Sequence, residues 1–101
     1  MRSSLEIYEL ATGAVRVVLQ TDRLIEAPNW HPDGWLLVNG EGRLWRVPLD
    51  RPVLLQVATG FADRCNNDHG ISPDGRRIMF TCHTDRGAEI FEMPVAGGDP
   101  V

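Results

Sequence analysis

Apolar and polar residues alternate along this chain in short bursts separated by turn chemistry, and no window sustains a 3.6-residue period. The pattern predicts strands at about residues 4–10, 15–21, 25–31, 35–39, 43–49, 53–59, 66–72, 76–82 and 88–95, and no helix. In the second of these, Val15, Val17 and Leu19 alternate with Arg16, Val18 and Gln20, so the odd-numbered residues should form the drier face. Further turns are expected at Asn39-Gly40-Glu41-Gly42, Thr84-Asp85-Arg86-Gly87 and Ala96-Gly97-Gly98.

The strands recur. Trp30-His31-Pro32-Asp33-Gly34 is echoed 41 residues later by Ile71-Ser72-Pro73-Asp74-Gly75. A second element appears three times, as Ile7-Tyr8-Glu9-Leu10-Ala11, Leu44-Trp45-Arg46-Val47-Pro48 and Ile90-Phe91-Glu92-Met93-Pro94. It places an aromatic and the next-but-one apolar residue on one face, with apolar residues on the other face too, which suits a small sheet packed on both sides. A third element pairs residues 15–21 with 53–59. Pro32, Asp33 and Gly34, and likewise Pro73, Asp74 and Gly75, have hairpin-turn chemistry: proline presets φ, and glycine supplies a positive φ two residues on. Their place before a glycine explains the two aspartates without invoking calcium.

Elements repeating in fixed order every 40 residues or so match a four-stranded propeller blade. The segments Ala27-Pro28-Asn29-Trp30-His31-Pro32-Asp33-Gly34 and Asn66-Asn67-Asp68-His69-Gly70-Ile71-Ser72-Pro73-Asp74-Gly75 resemble the repeat of TolB-type (WD40-like) β-propellers, P-x-W-S-P-D-G followed by an apolar strand. Ile90-Phe91-Glu92-Met93-Pro94-Val95-Ala96-Gly97-Gly98 is similar to that family's I-Y-x-M-x-x-x-G-G strand and turn. His31 stands where the family has serine, and Ile71 where it has tryptophan. The resemblance implies an all-β chain, a β-propeller fragment of about two four-stranded antiparallel blades. Residues 1–22 supply the outer two strands of one blade, 23–61 a complete blade, and 62–101 a blade lacking its outer strand. Family propellers close a larger ring, so a truncated gene, a fragment or a subunit is expected.

Composition narrows the partners. The formal net charge is −4 and the basic residues are scattered, which argues against nucleic acid. The longest apolar run is far short of the roughly twenty residues that a membrane-spanning helix needs, so no membrane insertion is expected. Met1-Arg2-Ser3-Ser4-Leu5-Glu6 carries no apolar signal-peptide core, which points to the cytoplasm, or to the periplasm if the true N-terminus lies upstream. Cys65 and Cys82 fit buried free thiols there, a single bridge being the other arrangement.

Chemistry-bearing residues are few. Asn66-Asn67-Asp68-His69 is the densest polar cluster, and it opens a first strand. First strands line the central channel in the resembled family, so these four residues are the channel-facing candidates. Asp68 and His69, with His31 and His83, offer oxygen and nitrogen ligands, but no two histidines share a spacing such as H-x₃-H. The alternative role is to satisfy polar groups between blades, and the sequence favours it. Trp30, Trp35 and Trp45 are read as blade core rather than a stacking surface. No nucleophile elbow, zinc-protease motif, phosphate loop or dinucleotide fingerprint occurs, so no catalytic residue, metal or cofactor is assigned.

The resemblance therefore implies a non-catalytic scaffold binding a protein partner or further blades. The alternative is an accessory part of a propeller enzyme, such as an oligogalacturonate lyase or the gating domain of a serine peptidase. Self-association is also expected, because terminal faces carrying Leu5, Ile7, Ile90 and Met93 have no evident cap.

Overall fold

A computed structural model describes residues 2–101, which form nine strands and, among those residues, no helix. The strands are β1 (Ser3–Tyr8), β2 (Val15–Thr21), β3 (Glu26–His31), β4 (Trp35–Gly40), β5 (Arg43–Pro48), β6 (Leu55–Gln56), β7 (Cys65–Ile71), β8 (Arg77–Thr84) and β9 (Gly87–Pro94). They make three antiparallel sheets in chain order: β1-β2, β3-β4-β5-β6 and β7-β8-β9.

The middle sheet organises the rest because it is apolar on both faces. Every residue of β4 is buried. Leu36 and Val38, with Val47 of β5, turn to one side and pack with Leu5 and Val18 of the first sheet. Trp35 and Leu37, with Leu44, turn to the other side and pack with Ile78, Phe80, Cys82 and Met93 of the third. Alternating pleat directions thus convert one apolar run into two interfaces.

The hairpins follow local chemistry. Gly34 N–H donates to His31 O at 3.1 Å and Gly75 N–H to Ser72 O at 2.8 Å, closing turns with proline at the first central position. The β4–β5 hairpin is tighter than the sequence implies. Strand β4 runs through Asn39 and Gly40, leaving Glu41 and Gly42 as a two-residue turn with φ of 56° and 76°. Two positive φ values define the type I′ turn, whose twist matches the strands it joins. A Cβ on Gly42 would collide with the Asp63 carbonyl, so only glycine fits.

Several expectations need correction. The strand foreseen at 53–59 shrinks to Leu55–Gln56, because Val57 and Thr59 turn inward and are buried. Thr59 Oγ1–H then donates to Ala62 O at 2.6 Å, closing the bend toward the third sheet. In β2 the dry face is not the odd-numbered one: Val18 is buried while Val15 and Val17 are exposed. A bulge explains this, since Leu5 pairs with Leu19 but Glu6 with Val17, leaving Val18 without a partner. β1 ends at Tyr8, so Leu10 lies in a turn at 89% exposure while its counterparts Val47 and Met93 are buried. Leu5 and Met93 are therefore core residues, and Ile90 is the terminal-face residue left open, at 79% exposure. On the outer side of β9, Val101 and Glu92 exchange reciprocal backbone hydrogen bonds at 2.8 and 2.9 Å, so residue 101 takes up the position of a fourth strand.

Of the tryptophans, Trp35 is core and Trp45 half-buried, with its Nε1–H donating to Gly40 O at 3.0 Å. Trp30 is 58% exposed and is not core.

Candidate functional site

β3 and β7 are the free edges of the second and third sheets, and they pack side by side. Both are distorted at the same level. Between Glu26↔Asn39 and Asn29↔Leu37, β3 carries Ala27 and Pro28 opposite Val38 alone, with Ala27 at a φ of 57°. Between Cys65↔Cys82 and His69↔Phe80, β7 carries Asn66, Asn67 and Asp68 opposite Thr81 alone. Bulges of this kind release side chains from the alternating pleat and re-aim them.

The four channel-facing candidates thus sit on or next to a bulge, and two of them join a chain of side-chain hydrogen bonds between sheets. Glu26 Oε2 accepts from Asn67 Nδ2 at 3.2 Å. Asn67 Oδ1 accepts from Asn39 Nδ2 at 2.8 Å. Asn39 Oδ1 lies 2.8 Å from His69 Nε2, and His69 Nδ1 lies 2.6 Å from Asn29 Oδ1. Asn66 and Asp68 are separate from this chain. Asn66 Oδ1 accepts from the Asp68 N–H at 2.9 Å, and its amide nitrogen meets His83 Nε2 at 3.3 Å.

The carboxylate end sets the direction of the chain. Glu26, when ionised, only accepts, so Asn67 must present its NH₂ to it and its oxygen to Asn39. Asn39 must then donate to Asn67 and present its own oxygen to His69. The proton on His69 therefore belongs on Nε2 in the neutral ring. Nδ1 is then an acceptor, satisfied when the Asn29 amide turns its nitrogen toward the ring; the Asn29 oxygen instead suits the doubly protonated ring. Burial pushes the His69 pKa below 6.5, against a smaller upward pull from Asp68. Desolvation favours the neutral ring.

The three histidines are not brought together. His31 is 2% exposed, stacked on Trp35 at 4.3 Å between ring centroids, with Nε2 2.7 Å from Gly75 O. Its Nδ1 accepts from Asp33 N–H at 3.0 Å, which leaves Nε2 to donate. His83 is exposed at the far end of β8. Among the described residues no cluster of three or more histidine, cysteine or acidic side chains has the geometry to hold a metal ion. Asp33 and Asp74 stay in their turns, where Asp74 Oδ1 accepts from Ser72 Oγ at 2.7 Å and Arg76 N–H at 3.0 Å and its pKa is lowered by those bonds. An open cavity of about 470 Å³ beside the β7 bulge is lined by Glu26, Glu41, Cys65 and Asn66–Asp68.

Glu26, Asn29 and Asn39 were not singled out in the sequence, although they complete the network. One signal was present: the 41-residue offset of the Pro-Asp-Gly repeat maps Glu26 onto Asn67, and those two residues bond each other. Asn39 reads as a turn residue, and nothing local marks its side chain as buried.

No protein-family model matches the chain. It is 50% identical over 103 residues to an uncharacterized protein of Agrobacterium fabrum, an alignment covering 99% of this chain and 35% of that protein. A solved structure from Agrobacterium tumefaciens, described as "putative TolB", matches with a TM-score of 0.94 at 50% identity, covering 99% of this chain. The chain resembles part of a TolB-type propeller. It spans 37% of the length of that solved TolB-type chain. The antiparallel, helix-free architecture expected from the repeats is the one observed.

Proposed function

We propose that this chain is a non-catalytic segment of a TolB-like propeller that works as a protein-interaction scaffold. The observation that carries this reading is the engagement of His69. With one ring nitrogen against Asn39 and the other against Asn29, the histidine best placed for channel chemistry has no free lone pair for a metal or a substrate proton. Glu26 and Asn29 of β3 instead bond Asn67 and His69 of β7, with Asn39 of β4 between those two, bracing neighbouring sheets. Meanwhile Tyr8, Trp30, Phe61 and Ile90 are large apolar side chains open to solvent, the residue types that anchor protein contacts. The oligogalacturonate-lyase alternative would call on His69 as ligand or base, and loses support for the same reason.

The test pairs an activity assay with site-specific crosslinking. The protein incubated with pectic oligomers and divalent cations should show no turnover. Photo-crosslinking residues at Trp30 or Ile90 in cells should each trap a discrete protein adduct that a probe at exposed Asp85 does not. Turnover that disappears in His69→Ala would overturn the reading, and so would crosslinking no stronger than at Asp85.

A further inference from the structure

We propose that Cys65 and Cys82 are a cross-strand disulfide pair, closed by a low-molecular-weight disulfide such as oxidised glutathione and reopened by reduction. Both are free and buried in the structure, and they are direct partners at the start of the β7–β8 ladder. The hydrogen bonds flank this pair rather than join it. His83 N–H donates to Arg64 O at 3.0 Å, while Cys65 N–H leaves the ladder for Gly42 O at 2.9 Å. That is the non-hydrogen-bonded type of antiparallel pair, with Cα atoms about 4.5 Å apart and side chains at their closest. A disulfide spans Cα separations of about 4.4–6.8 Å, so the backbone is already at bridging distance.

The side chains agree. Both cysteines belong to the same core cluster and are direct partners across the ladder, so their side chains lie on one face of the sheet. Cys65 lines the open cavity beside the β7 bulge, which gives a small oxidant a route to one sulfur of the pair. Burial, with Cys82 next in order, pushes the Cys65 pKa up to about 12. The thiolate is therefore scarce at neutral pH, and closure is slow there and faster as pH rises.

The chemistry balances in two exchanges. The Cys65 thiolate attacks one sulfur of oxidised glutathione, breaking its S–S bond, and the leaving thiolate takes up a proton. The Cys82 thiolate then attacks the Cys65 sulfur of the mixed disulfide, forming the Cys65–Cys82 bond and expelling the second glutathione. Two protein thiols are oxidised, and one glutathione disulfide is reduced to two thiols. Because Cys65 directly precedes Asn66, the bridge would pin the base of the bulge to β8.

The experiment holds the purified native protein with excess oxidised glutathione at mildly alkaline pH, then denatures it in a maleimide and measures intact mass and peptides. The expected result is a loss of about 2 Da with no maleimide added, as two thiol hydrogens leave, and a Cys65–Cys82 linked peptide. Reduction should then restore two maleimide adducts. Cys65→Ser and Cys82→Ser should each abolish the mass loss. Two persistent maleimide adducts, stable glutathione adducts on the unaltered protein, or a bridge between two chains would overturn the proposal.

Discussion

The imidazole of His31 donates to the backbone carbonyl of Gly75 at 2.7 Å, joining the Pro-Asp-Gly turn of one sheet to that of the next. The serine found in the other copy of the motif does something different: Ser72 Oγ donates to Asp74 within its own turn. A histidine at this place therefore turns a local turn-stabilising position into a contact between blades. Trp35 stacks on its ring, and the Arg46 guanidinium lies 4.1 Å from the centroid of Trp35.

His31→Ser should cost about 2 kcal/mol, combining a lost buried hydrogen bond with lost packing against Trp35. Gly75→Ala should destabilise through the same contact, since its φ is +74° and an added Cβ would sit 3.0 Å from His31 Nε2. Urea unfolding of the two single variants and the double variant checks this. The double variant should lose less than the sum of the singles, because one contact is removed twice.

Stability should fall as pH drops below 6.5. The folded-state pKa of His69 is lowered below 6.5, so the unfolded chain binds the extra proton first. The contribution is present above pH 6.5 and is lost as pH falls through the folded-state value. Comparing the melting temperature across this range in the parent and in His69→Gln checks it: the variant should show a shallower decline.

Asn39→Ala should cost about 1–3 kcal/mol, since it removes a buried side chain that bonds Asn67 and leaves the part-buried His69 Nε2–H without its acceptor. Asn66→Ala removes only solvent-exposed hydrogen bonds, to the Asp68 N–H and His83, and should stay within about 0.5 kcal/mol of the parent. Chemical denaturation of both separates the network from the merely polar surface around it.

Trp30→Ser and Trp35→Ala should differ widely. Trp30 is exposed, so its loss should change stability by about 0.5 kcal/mol or less, whereas Trp35 is core and should cost about 3–5 kcal/mol. The midpoints of thermal or urea unfolding decide between them.

These contrasts show where the sequence was informative. Pro32-Asp33-Gly34 and Pro73-Asp74-Gly75 were legible because proline and glycine restrict φ without regard to distant neighbours. The apolar run Trp35–Val38 was legible as a strand, and packing on both faces was legible in the repeated element at Leu44–Pro48. Val18 was not, because its burial depends on a bulge that shifts the β1–β2 pairing by one residue, and alternation alone puts it on the wet face. Leu10 was misread for a related reason: it copies the composition of Val47 and Met93, but its strand ends at Tyr8. At the candidate site, Asn66–His69 stood out as a polar cluster, yet His69 finds its partners 30 and 40 residues away. Those pairings come from two bulged edges meeting, and no local pattern encodes them.

The central claim is that His69 is a brace between sheets and holds no free nitrogen for chemistry. Nitrogen-15 NMR of the histidine ring in the folded protein, followed through a pH titration, tests it most directly. The account predicts a neutral ring with its proton on Nε2 and a pKa below 6.5. It also predicts slow exchange of the Nε2 proton, and that the slow exchange disappears in Asn39→Ala. A ring protonated on Nδ1, or one that titrates at or above 6.5 with a freely exchanging proton, would contradict it.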